Sequence, residues 1–130
     1  MAGTVADVME RNVHTIHCQS SILEAEAILS RRRISAAPMV STDGHVLGVV
    51  TITDVTRFRH EHAKEDPADR LVFEIGTPIT VTIDAGASLR DAAREMIDNQ
   101  VHRLVVVSGG APVGVIAALD LVAQLANGRA

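Results

Sequence analysis

At 130 residues and 47% hydrophobic content, the chain has the size of a single domain with a core to bury. A formal net charge of -4, an aromatic content of 2% and the lack of a long basic run exclude the cationic, ring-bearing surface that nucleic acid requires. Cys18 is the single cysteine, so no internal disulfide forms, a structural zinc site would lack thiolates, and a reducing cytoplasm is the expected compartment.

The opening stretch MAGTVADVMERNVHTIHC carries acids among its apolar residues and has no leader-like apolar run. A short apolar strand is expected around Ile16. Behind a serine cap, SSILEAEAILSRRR places Ile22, Ala25, Ile28 and Leu29 at helical spacing, which predicts an amphipathic helix. ISAAPMV and HVLGVVT read as strands around the turn STDGHV, and Thr51 opens a second helix running toward His60 or His62. The polar segment RHEHAKEDPADR follows, with Pro67 as the start of a short helix. ITVTI, SLRDAAREMIDNQ, VHRLVVV, PVGVIA and LDLVAQLA then repeat the same order. The most apolar stretch, APVGVIAALDLVAQLA, is too short to span a membrane and is broken by Asp120 and Gln124, so no membrane partner is expected.

The chain is thus one β-α-β-β-α unit written twice, an α/β fold. Thr15-Ile16 matches Thr82-Ile83, Ser21-Ile22 matches Ser88-Leu89, and Ile34 matches Val101. Gly48 and Asp54 match Gly114 and Asp120 at an offset one residue shorter, because the second turn, SGGAPV, has lost a residue. Residues 1–63 are read as the first repeat with its leading segment, and 64–130 as the second with the connecting segment. Neither unit alone is large enough to cover its apolar strands, so the two are expected to pack as one pseudo-symmetric body.

Read for chemistry, Thr51-Ile52-Thr53-Asp54 is a capping box, Thr51 capping and Asp54 reaching back, worth about 1 kcal/mol without any ligand. Asp120 keeps its place where the capping hydroxyl is gone, which the helix dipole also favours. His102 and Arg103 are cations just past a helix end, as is the run Arg31-Arg32-Arg33. The pairs His14 with His17 and His60 with His62 lack metal-ligand spacing, so no metal is expected, and no nucleophile, base and orienting group assemble, so no enzyme is expected.

A tandem β-α-β-β-α unit with GVVTITDV, RISAAPMV and VHRLVVV resembles the cystathionine β-synthase (CBS) domain pair, or Bateman module. The last two stretches are similar to strands of the gamma subunit of AMP-activated protein kinase. The resemblance covers essentially the whole chain. It implies adenosine-containing ligands held between two repeats, the helix-start aspartate accepting from ribose hydroxyls and strand residues of the other repeat facing the phosphates. Site one would then combine Thr51, Ile52, Thr53, Asp54, Val81, His102 and Arg103. A weaker site two would combine Asp120, His14, Ser35 and Ala36, weaker because Ala117 and Leu119 stand where the motif expects hydroxyls.

The reading is a regulatory module with no required cofactor and an adenine nucleotide as its ligand, acting on an unidentified effector protein or through a homodimer. One alternative is a dimerisation module with empty clefts; another is a sensor of S-adenosylmethionine.

Overall fold

A glycine late in each repeat decides how the leading segments pack. The computed structural model describes residues 3–11, 13–78 and 81–128. It contains α1 (Val5–Val8), β1 (Ile16–His17), α2 (Ile22–Arg32), β2 (Ala36–Val40), β3 (Val46–Thr51) and α3 (Ile52–Glu61). Two 3₁₀ turns follow at Pro67–Asp69 and Val72–Glu74, then β4 (Thr77–Pro78), β5 (Thr82–Asp84), α4 (Leu89–Asn99), β6 (Arg103–Ser108), β7 (Ala111–Ala117) and α5 (Ala118–Ala126). Of the strand expected at ITVTI, Ile79 and Thr80 lie outside the described residues. Among the described residues no helix is long and apolar enough to cross a membrane.

Capping places the long helices where the serines stand. Ser21 accepts from the Glu24 N–H at 3.0 Å and Ser88 from the Asp91 N–H at 3.0 Å, each satisfying an orphan first-turn donor. Both helices end in a left-handed residue, Arg33 (φ 53°) and Gln100 (φ 54°). Neither is glycine, so each retains the steric cost of Cβ in that region.

The elements form two compact units, and these are not the sequence halves. One runs from His14 through β4; the other joins the segment ending at Val13 to everything from Val81 onward.

In the first of these, the sheet order is β1-β2-β3-β4, with β1 parallel to β2 and the other pairs antiparallel. Pro38 is tolerated inside β2 because β1 pairs with β2 only at Met39 and Val40. The core is built of Ile16, Ile22, Ala25, Leu29, Val50, Val55 and Phe58, with Val72 from the connecting segment fully buried among them. Gly48 explains how that segment docks. It pairs with Pro78, and a Cβ on it would stand 2.3 Å from the Thr77 carbonyl oxygen. Only a residue without a side chain lets β4 approach.

The other unit repeats the plan with β5-β6-β7, the first pair parallel and the second antiparallel. Ile83, Leu89, Ala92, Met96, Ile116 and Leu121 form its core, completed by Val5 and Met9 of the leading segment. The Val5 and Ala6 N–H groups donate to Ala87 and Ala85 carbonyls at 2.8 and 2.9 Å, and Glu10 and Val115 exchange backbone bonds. Gly114 is the counterpart of Gly48, its missing Cβ making room for Met9 Sδ at 2.6 Å and the Glu10 carbonyl oxygen at 2.9 Å. Burying Val5 or Val72 contributes about 1.5–3 kcal/mol each, so each leading segment is part of the unit it covers.

Candidate functional site

The strand-to-helix junction β3–α3 is built from the backbone outward. Thr51 ends β3 and caps α3, its hydroxyl accepting from the Asp54 N–H at 3.1 Å while Asp54 Oδ2 accepts from the Thr51 N–H at 2.8 Å. The expected capping box is thus present. Ile52 donates its N–H to the Ser35 carbonyl oxygen at 3.0 Å, and Ala36 pairs with Thr51 across β2 and β3. These contacts fix where the carboxylate of Asp54 points. Its side chain is 7% exposed, and among the described residues it is the buried charged group.

Asp54 Oδ2 is well occupied, but among the described residues Oδ1 faces only the Arg57 Nη1 at 3.5 Å, at the limit of a hydrogen bond. A carboxylate offers about four lone-pair sites, so the group retains acceptor capacity. Thr53 and Ile52 are exposed on the first turn, and the two first-turn bonds just described do not use the Thr53 N–H. Chemically, such a junction can accept from hydroxyl groups and donate to an anion.

The β7–α5 junction has the same backbone and a thinner side-chain set. Asp120 Oδ2 accepts from the Ala117 N–H at 2.7 Å, the Ala118 N–H donates to the His102 carbonyl oxygen at 2.8 Å, and Arg103 pairs with Ala117. Ala117 offers no hydroxyl to the Asp120 N–H. Asp120 is half-buried, while His102 and Arg103 are exposed, His102 in a bend before β6 and not on the strand itself. The back-bonding acid recurs at two further turns, Asp7 with the Thr4 N–H and Glu74 with the Leu71 N–H; these bonds hold both carboxyls below the usual carboxylate range. Asp54 differs from them by its burial.

Within single units, then, Ser35 and Ala36 stand beside Thr51, Ile52 and Asp54, and His102 and Arg103 stand beside Ala117 and Asp120. Val81 is half-buried against the core of the unit that holds Asp120, and His14 is half-buried at the start of the other. The expected sets, Asp54 with Val81, His102 and Arg103 and Asp120 with His14, Ser35 and Ala36, join residues of different units and belong to the proposal below. Sequence reasoning missed Arg57. Its signal was present: an acid and an arginine three apart on one helix face.

The helices differ between the copies in a second way. Leu119, Val122 and Leu125 are exposed along α5, with Leu119 at 77%, and Ile97 of α4 is 65% exposed. The equivalent positions in the first copy are Thr53, Thr56, Arg59 and Ser30. There Arg59 donates to Glu26 through Nε and Nη2 at 2.6 and 2.5 Å, and this bond holds the Glu26 carboxyl below its ordinary range. Among the described residues no cluster of three or more His, Cys, Asp or Glu side chains could hold a metal ion.

Comparison with known proteins places these features in a family. The CBS domain matches the chain twice, at residues 5–61 and 72–127, each match starting at the valine that the leading segment buries. Protein MJ1225 of Methanocaldococcus jannaschii is 29% identical over 123 residues, which is 95% of this chain and 43% of that protein, so the chain spans less than half of this relative. The CBS domain pair of protein MJ0100, solved with 5′-methylthioadenosine and S-adenosyl-L-methionine, superposes with a TM-score of 0.78 at 23% identity, covering 100% of both chains. CBSX2 of Arabidopsis thaliana, solved in complex with AMP, does so with a TM-score of 0.73 at 23% identity, covering 99% of this chain and 100% of that one. With both repeats matched and the fold shared, the chain belongs to the CBS domain family, as a tandem CBS pair.

Proposed function

We propose that this CBS pair is a regulatory module that binds an adenine nucleotide at the Asp54 junction and passes the occupancy to an effector protein or to its own state of association. It performs no chemistry and needs no cofactor. The observation that carries the reading is Asp54: a buried carboxylate, fixed by the Thr51 N–H through one oxygen and holding the other in reserve. A ribose diol needs such an oriented acceptor. Thr51, Ile52 and Thr53 would line the first turn of the helix, with Val81, His102 and Arg103 contributing from the second unit. Asp120, with His14, Ser35 and Ala36, would make the poorer site, since Ala117 and Leu119 supply no hydroxyls. Ligand binding signals by favouring one arrangement of the chain over another, through differential affinity alone.

Calorimetry against AMP, ADP, ATP, S-adenosylmethionine and adenosine tests this. Asp54→Asn keeps an oxygen for the Thr51 N–H but turns the second acceptor into a donor, so the cap survives while the ribose contact does not. It should weaken AMP and adenosine alike by about ten- to a hundredfold. Asp120→Asn should leave the stronger binding event intact. Equal losses would show that the occupied site is misassigned, and a wild type that binds none of the five would refute the reading in favour of an empty interaction module.

The homodimer is part of the same proposal. The apolar stripe of α5 and Ile97 of α4 would meet a second copy, because the exposed stripe Leu119, Val122 and Leu125 carries no charge to repel its own image.

A further inference from the structure

We infer that Arg57 is a specificity-determining residue of the Asp54 site, a guanidinium at the edge of hydrogen-bonding distance from Asp54 that meets an anionic group of the ligand. The inference rests on the proposed adenosyl-binding role of Asp54 and adds what selects among adenosyl compounds.

The two groups are unequally settled. Asp54 is 7% exposed and held through Oδ2, whereas the Arg57 side chain is 56% exposed and reaches Oδ1 only at 3.5 Å. Among the described residues the Arg57 side chain makes no other hydrogen bond. A guanidinium carries five N–H donors in a planar fork suited to phosphate or carboxylate, so most of its donor capacity is unused. The Arg59–Glu26 pair of the same unit closes to 2.5–2.6 Å, whereas Arg57 stays at 3.5 Å from Asp54, close to the 3.4 Å of Arg70 and Glu74. Arg57 is instead a loosely held counter-ion beside a fixed carboxylate.

A hydroxyl that donates to Oδ1 enters the space this weak contact spans. It offers the carboxylate a better partner and releases the guanidinium, one sugar ring away from whatever the ribose carries at its 5′ position. A phosphate there is met by the freed fork; a neutral methylthio group gains nothing from it. The copies differ at this point. The position equivalent to Arg57 is Ala123, so α5 carries no cation three residues after Asp120, and the cations near that junction, His102 and Arg103, come from the neighbouring strand segment instead.

The test compares AMP, adenosine and 5′-methylthioadenosine on wild type, Arg57→Ala and Arg57→Lys, with thermal unfolding of each. The expected result is an AMP affinity lowered about ten- to a hundredfold in Arg57→Ala, with the two neutral ligands changed by less than about threefold. Arg57→Lys should recover part of the AMP loss, as a point charge without the fork. The effect should persist in an Arg103→Ala background, because Arg57 acts from the same helix as Asp54. Equal losses for all three ligands, accompanied by a lower melting temperature, would overturn the inference and make Arg57 a support for Asp54. Unchanged AMP affinity would overturn it as well. In both of these cases wild-type binding leaves the proposed function standing, whereas a wild type that binds no ligand removes the proposed function and this inference together.

Discussion

Replacing Gly48 by alanine tests the central packing feature of the fold. A Cβ there would lie 2.3 Å from the Thr77 carbonyl oxygen, 2.9 Å from Met39 Cε and 3.1 Å from Pro78 Cα. Met39 can swing away, but the first and third contacts are backbone. Restoring ordinary van der Waals distance requires β4 to retreat by about 1 Å, which overpacks the neighbourhood at about 1–3 kcal/mol and strains β3–β4 bonds worth about 0.5–1.5 kcal/mol each. The sum is about 2–4 kcal/mol, or a melting temperature lower by about 8–15 °C for a chain of this length. Urea titration followed by circular dichroism measures it. Two glycines act as internal controls. Gly44 has φ +83° and nothing within 4 Å, so Gly44→Ala should cost only the left-handed strain, about 1 kcal/mol. Gly114→Ala meets the movable end of Met9 and the Glu10 carbonyl oxygen at 2.9 Å, and should fall between them. A Gly48→Ala loss no larger than that of Gly44→Ala would refute the claim that close approach of the connecting segment is what requires this glycine.

Arg33→Gly and Gln100→Gly should each raise stability by up to about 1 kcal/mol, since both residues occupy left-handed helix ends; scanning calorimetry would show it as additive upward shifts. Glu26 has its carboxyl depressed chiefly by the hydrogen bonds from Arg59, so its contribution is present above the unfolded-state value and is lost as pH falls through the folded one. Wild type should therefore exceed Glu26→Gln in urea midpoint at neutral pH and converge with it in the acid range, and a constant gap across pH would contradict that. For the proposed homodimer, Leu119→Asp combined with Val122→Asp should shift sedimentation at micromolar concentration from dimer to monomer, while Thr53→Asp, on the equivalent helix of the other copy, should leave association unchanged.

What the sequence determined by itself was local. The two copies, the serine caps at Ser21 and Ser88, the apolar spacing of Ile22, Ala25 and Leu29, and the Thr51–Asp54 capping box are all matters of neighbours a few residues apart, and each appears in the structure. Arg57 beside Asp54 belongs to that class too, as an i, i+3 pair. The packing of the leading segments did not. A helix of four residues and a strand of two have no periodicity to read, so nothing in VADVM or LVFEIGTP announces which sheet each will cover. That choice was made by tertiary contacts: Val5 and Met9 filling the core of the second copy, Val72 filling that of the first, and Gly48 and Gly114 admitting a backbone that any side chain would exclude. Burial likewise separated Asp54 from Asp120, two aspartates that follow equivalent glycines. Their common spacing sets the same backbone hydrogen bond in both, but only packing decides which carboxylate is withdrawn from water.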